Sequence, residues 1–237
     1  MGPRWVRRLR PMPSASTPTV GLAVSHLFFR VGRDLDRDAV LTALDTAAEG
    51  DTQVVTAALL GHKADLAVLA LSADQWHLRR LQTALVRAGL DLVDSYISLT
   101  ELSEYAQGVP EAMQQARLYP QLPPEGKPAF CFYPMSKHRN VGANWYALPY
   151  ERRKELMYEH GASGRTFAGR VTQLITGSTG LDAYEWGVTL FCVHPDDVKD
   201  VVYTMRFDEA SAQYGDFGPF YVGMVESPKV ILDELGV

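Results

Sequence analysis

Two alternating periods organise the chain. Runs of apolar, β-branched and aromatic residues predict strands over residues 22–31, 53–60, 65–71 and 92–100. Between them, Val40, Leu44 and Ala47 mark the apolar stripe of a helix over 36–49. Trp76, Leu81 and Leu85 do the same for a helix over 74–88. Ser72 stands where it can cap that second helix, and Gly89 where it can stop it. In the fourth strand Tyr96, Ser98 and Thr100 fall opposite Ile97 and Leu99. The first half therefore reads β-α-β, β-α-β, a ferredoxin-like order.

Residues 108–126 are rich in proline and glycine and read as a linker. The theme then repeats. A strand over 129–133 is expected to end at Pro134, which removes a backbone donor. A helix over 150–160, a strand over 170–176 and a turn over 177–182 follow. In the long strand 184–193, Trp186, Val188, Leu190 and Cys192 alternate against Gly187, Thr189 and Phe191. Pro195 opens a helix running to about 205, and 217–225 is the closing strand. The expected fold class is α+β: duplicated ferredoxin-like halves whose antiparallel sheets form a barrel-like core, a dimeric α+β barrel. The expected domains are a basic disordered tail over 1–20, a first half over 21–107, the linker 108–126 and a second half over 127–237.

Composition narrows the classes. Apolar residues make up 46%, enough for a sizeable core. The net charge of −5 argues against nonspecific nucleic-acid binding. Arg4, Arg7, Arg8 and Arg10 are confined to the tail, where Met12 offers an alternative start. Cys131 and Cys192 lie in apolar runs and read as buried thiols, so no disulfide framework is indicated and a reducing, cytoplasmic location is expected. No apolar run reaches the length of a membrane span.

The chemistry-bearing residues concentrate between 130 and 178. His160, just before Gly161, either stabilises the last carbonyls of its helix or ligates a metal. No HxxxH, HExxH or CxxC pattern accompanies it. Haem needs only one protein ligand, so haem is the metal cofactor these sparse histidines best permit. Tyr133 shares a strand face with Cys131, as either a core phenol or a redox-active one; Trp145 and Tyr146 are open to the same choice. Lys137, His138 and Arg139, with Arg117 upstream, are either solvated charge or a clamp for carboxylates. Gln173 alternates with Val171 and Ile175, placing an amide on an apolar wall if that face turns inward. Arg206 and Asp208 read as a structural pair.

Longer stretches carry a resemblance. GHKADL (61–66), YPMSK (133–137), NWY (144–146), ERRKELMYEHG (151–161), AGRVTQLITGS (168–178), EWGVTLF (185–191) and MRFDEASAQYGDFGPFYVG (205–223) resemble the chlorite dismutase superfamily. The chain is most similar to its coproheme decarboxylases, the haem synthases of Gram-positive bacteria, over about residues 22–223.

The resemblance implies His160 as the iron ligand and Tyr133 as the radical-forming tyrosine. It puts Met135 and Lys137 at the cofactor edge, Gln173 at the distal position, Arg117 and Ser211 on propionates, and Tyr184 at an aromatic pocket position. Tyr133, Lys137 and Gln173 are the implied catalytic residues. The implied substrate and redox cofactor is iron coproporphyrin III (coproheme). Hydrogen peroxide is the oxidant and haem b the product. The implied assembly is a homo-oligomer, usually a pentamer, with transient contact to the iron-inserting chelatase. Two departures stand out. Chlorite dismutases proper carry an arginine where this chain has Gln173, and the stretch from Arg117 to Tyr133 is two residues longer than the family pattern.

Overall fold

The computed structural model describes residues 13–106 and 108–237. The expected tail therefore lies mostly outside the described residues. Ser16, within them, is fastened to the second helix: its N–H donates to Asp74 Oδ1 at 3.0 Å and its carbonyl accepts from Gln75 N–H at 2.9 Å.

The first half runs β1 (Ala23–Val31), α1 (Arg37–Glu49), β2 (Thr52–Leu59), β3 (Leu66–Ser72), α2 (Gln75–Arg87) and β4 (Leu90–Thr100). Asp36 caps α1, and Asp74 rather than Ser72 caps α2. The strand order is β2-β3-β1-β4. Residues 108–126 are more than a linker: they carry α3 (Glu111–Leu118), secured where Thr100 Oγ1 donates to the Leu118 carbonyl at 2.8 Å.

The second half holds β5 (Ala129–Lys137), a hairpin of β6 (Arg139–Asn140) and β7 (Ala143–Asn144), a 3₁₀ turn (Trp145–Ala147) and α4 (Tyr150–Arg165). It continues with β8 (Val171–Gly177), β9 (Trp186–Cys192), α5 (Pro195–Met205) and α6 (Glu209–Ala212). β10 (Gly215–Phe217), β11 (Tyr221–Val225) and α7 (Pro228–Glu234) close the chain. Its main strands repeat the first half's order as β11-β5-β9-β8.

The expected barrel-like core of two antiparallel sheets is corrected. All strands except the β6–β7 hairpin belong to one nine-stranded sheet, and it is not a closed barrel of evenly paired strands. The halves meet at short seams: three residue pairs between β11 and β2, and two between β4 and β8. The β4–β8 seam is short because side chains replace the ladder just beyond it. Asp182 Oδ2 accepts the Ile97 N–H at 2.9 Å, and Ser178 Oγ donates to the Ile97 carbonyl at 2.9 Å.

Two further expectations are revised. Pro134 does not end β5; it pairs with Gly187 inside the strand. β11 and β10 occupy successive stretches of β5's other edge, ending at Phe132 and resuming at Met135. Pro134 sits in that gap, where its missing N–H is not needed, and its carbonyl accepts from Gly218 N–H at 2.8 Å. His160 is also not in the last helical turn. α4 continues through Gly161 and Gly164 to Arg165, so stabilising the terminal carbonyls is not its role.

Three apolar layers follow from the alternation of side chains. Leu27, Phe29, Val68 and Leu85 pack beneath α1, α2 and α7. Phe28, Phe130, Phe132, Phe191 and Tyr221 pack on the inner face of the sheet. Cys131, Tyr133, Val188, Leu190 and Cys192 form the outer face of the second half and pack against α5.

Candidate active site

The outer face of β8, β9 and β5 is a wall whose rows the register defines. Gln173, Leu190 and Cys131 share one row; Ile175, Val188 and Tyr133 the next; Gly177, Trp186 and Met135 the third, extended by Phe217 of β10. Lys137 follows beside Gly215. Period-two alternation thus places Tyr133, Met135 and Lys137 together, while Phe130 and Phe132 turn to the inner layer.

Tyr133 is 8% exposed. Its ring stacks on Phe220 with centroids 4.5 Å apart and leans on Phe217 at 6.0 Å. Burial pushes its phenol pKa up, with Cys131 adding and Arg206 opposing. Tyr133 therefore stays protonated near neutral pH, and any oxidation must remove a proton with the electron.

Lys137 is buried, with its Nζ donating to the Ala210 carbonyl at 2.5 Å and lying 4.6 Å from the Trp145 ring centre. Burial lowers its pKa to about 8, against the opposing pull of Asp208 and Glu185. Its charge is therefore present below pH 8 and lost above it. A carboxylate ligand held by Lys137 is expected to bind more weakly as pH rises through about 8. In Lys137→Met, affinity for a carboxylate-bearing ligand by titration should be about tenfold lower at pH 7 and lack that step.

His160, on α4, faces α6. Its Nδ1 lies 3.0 Å from Asp208 Oδ2, and Ser211 Oγ is 3.4 Å from the same nitrogen. Asp208 is buried and caps α6, its Oδ1 accepting the Ser211 N–H at 2.9 Å. Burial alone would raise the Asp208 pKa, but the bonds from His160 and Ser211 outweigh it and hold the carboxyl below its ordinary value. Asp208 is thus ionised and accepts a hydrogen bond from Nδ1–H. Nε2, with no hydrogen-bond partner among the described residues, is left as a metal-ligating lone pair. No group of three or more His, Cys, Asp or Glu side chains among the described residues suits a metal ion. One braced imidazole fits a metal that brings its own equatorial ligands, as iron porphyrin does.

The family pattern for chlorite dismutase matches residues 35–226 of this chain. The chain belongs to the chlorite dismutase family. It is 47% identical over 177 residues to a coproheme decarboxylase of Staphylococcus carnosus, covering 70% of each chain, which places it in that branch of the family. It is 42% identical over 202 residues, 78% of its length, to a candidate heme-binding protein of Natronomonas pharaonis, but spans only 33% of that protein. A solved heme-binding protein from Thermus thermophilus superposes with a TM-score of 0.81 at 34% identity, covering 97% of this chain and 100% of the other.

In this chlorite dismutase family member the other sequence candidates divide. Met135 is half-buried beside Phe217 and Tyr133. Gln173 is exposed on the wall, its Nε2 3.9 Å from where a Cβ on Gly164 would stand, one turn beyond His160 on α4. Ser211 joins His160 and Asp208, as above. Tyr184 instead packs with the inner layer, its carbonyl accepting the Tyr96 hydroxyl at 3.1 Å. Arg117 is exposed at the end of α3, and no hydrogen bond or ion pair links it to the others among the described residues. Arg139 pairs loosely with buried Glu185 at 3.8 Å, and Glu185 also accepts the Lys137 N–H at 2.9 Å. Arg206 lies over the Phe217 ring rather than pairing with Asp208.

Sequence reasoning missed Asp208 as the partner of His160, Trp145 beneath Lys137, and Glu185. Only Asp208 left a usable signal. In DEAS an aspartate stands three residues before a serine, an N-cap spacing that ties the loop to α6.

Proposed function

We propose that this chain catalyses the peroxide-dependent oxidative decarboxylation of coproheme to haem b. The observation that carries the reading is the convergence on α6: His160 reaches Asp208 and Ser211 while Lys137, from the Tyr133 wall, reaches Ala210. An iron ligand and a cation for carboxylates are thereby attached to one short element, with a protonated phenol on the same strand face as that cation. Bound there, iron coproporphyrin III would supply both the propionates to be removed and the iron at which peroxide is reduced.

The chain's own residues divide the remaining work. His160 Nε2 would hold the iron of the bound porphyrin, and ionised Asp208 would keep the imidazole electron-rich. Lys137, with Arg117 and Ser211, orients propionates. Tyr133 gives up an electron with its phenolic proton and recovers a hydrogen atom from the propionate β-carbon. Holding that carbon against the phenol provides the proximity advantage. Gln173 steers peroxide without acting as a strong acid or base. For each propionate, one peroxide becomes two waters and the side chain loses carbon dioxide and two hydrogens, leaving a vinyl. The deciding experiment adds peroxide to the coproheme complex and weighs the porphyrin. Two successive losses, each the mass of formic acid, are expected. Saturable binding with an unchanged mass would overturn catalysis in favour of a carrier.

The same reading treats residues 21–107 and 127–237 as the two halves, with the porphyrin in the second. It also includes a homopentamer in contact with the iron-inserting chelatase. No helix among the described residues is long and apolar enough to cross a membrane.

A further inference from the structure

The third row of the wall carries a residue from the other half of the molecule. Glu101 directly follows β4, and its carboxylate lies over Gly177, across the β4–β8 seam. A Cβ on Gly177 would stand 2.2 Å from Glu101 Oε2 and 2.3 Å from its Cδ, so the carboxylate occupies the space that a side chain at 177 would take. Glu101 Oε1 accepts the indole N–H of Trp186 at 3.2 Å. Trp186 is the next residue in that row, directly opposite Met135. No ion pair among the described residues includes Glu101. It also lines a cleft of ≈ 350 Å³ between the seam and residues 18–20. Burial raises its carboxyl pKa and the Trp186 bond opposes that rise. Among the described residues this acid, seated in a notch that a side chain would fill, has no cation beside it and the indole as its one side-chain partner.

We propose that Glu101 is a positioning residue of the active site: it fixes the plane of the Trp186 indole, so that Trp186 forms a preset edge of the porphyrin slot. This rests on reading the Tyr133–Met135 face as the porphyrin wall. An indole hinged at χ1 and χ2 would otherwise have to be ordered when the porphyrin arrives, at a cost in affinity. Glu101 therefore acts on binding and not on the chemical step, and it does so as a hydrogen-bond acceptor. It also gives the first half of the chain a part in a site whose other groups come from α3 and the second half.

The test begins without porphyrin. The chain has four tryptophans, and Trp186→Phe identifies the Trp186 indole in a ¹H–¹⁵N spectrum. Glu101→Leu should move that peak, whereas Glu101→Gln, which keeps an acceptor oxygen, should leave it near its original position. With coproheme, Glu101→Leu should raise the dissociation constant about tenfold, and Glu101→Gln less than about threefold. Turnover of the saturated complex should fall far less than affinity. In a Trp186→Phe background, Glu101→Leu should add less than a further twofold, because the two residues act through one bond. An unmoved indole peak, or a full Glu101→Leu loss that persists without Trp186, overturns the proposal. Equal losses in the Leu and Gln variants also overturn it, since charge would then matter rather than the acceptor. A wild-type chain that binds no coproheme strikes the porphyrin reading instead. The ligand-free spectrum still decides whether Glu101 holds Trp186.

Discussion

Tyr133→Phe is expected to bind coproheme with wild-type affinity and to decarboxylate it at least about 10³-fold more slowly, a barrier increase of about 4 kcal/mol or more. The substitution removes one oxygen and keeps the stacking on Phe220. The hydroxyl has no hydrogen-bond partner among the described residues, so its loss leaves nothing unpaired and should change stability by less than about 1 kcal/mol. The slow step would then lack the phenol that releases an electron and a proton together. Single-turnover porphyrin mass after peroxide, with coproheme titration alongside, separates chemistry from binding. Turnover comparable to wild type would remove Tyr133 from its role and return the choice to Trp145 or Tyr146.

His160→Ala is expected to remove the axial imidazole signature from the coproheme spectrum and to weaken binding by about 100-fold or more, at the upper limit of what losing an orienting partner costs. Asp208→Ala provides the graded comparison. His160 would keep its ligating nitrogen but lose the carboxylate that accepts its Nδ1–H bond, and affinity should fall about 10- to 100-fold. Asp208→Ala should also cost about 1–3 kcal/mol of stability, because the Ser211 N–H at the start of α6 loses its acceptor. Asp208→Asn keeps an acceptor and should recover most of that stability but not the ligand strength. A ligand-field spectrum unchanged in His160→Ala would refute iron ligation by this residue.

What was legible in the sequence was periodic and local. The apolar runs of β1 and β3, the alternation in β9 and the stripes of α1 and α2 lie within single stretches, and each element forms where its pattern places it. The two ferredoxin-like orders follow from the same patterns. Pro134 shows the limit of a local rule. Whether a missing N–H ends a strand depends on what lies across from it, and here the neighbouring edge has a gap at that residue. α3 was hidden by the prolines around it. The end of α4 was misplaced because Gly161 keeps negative φ and does not turn the chain.

Long-range facts were less accessible. Spacing put Tyr133 on one face with Cys131, but ending the strand at Pro134 left Lys137 off that face. The bond from His160 to Asp208 crosses 48 residues, and the capping pattern in DEAS shows only Asp208's hold on α6. The β4–β8 seam is likewise bounded by Ile97, Ser178 and Asp182, with Ile97 far in sequence from the other two.

The short helix α6 is held by two side chains, by the imidazole of His160 through its capping residue Asp208 and by the ammonium of Lys137 through the carbonyl of Ala210. Under the proposed function, that would make the segment a mechanical joint between redox tuning and substrate seating. Substitutions within it should shift the midpoint potential of the bound iron and the Michaelis constant in step, even where the altered side chain meets neither ligand.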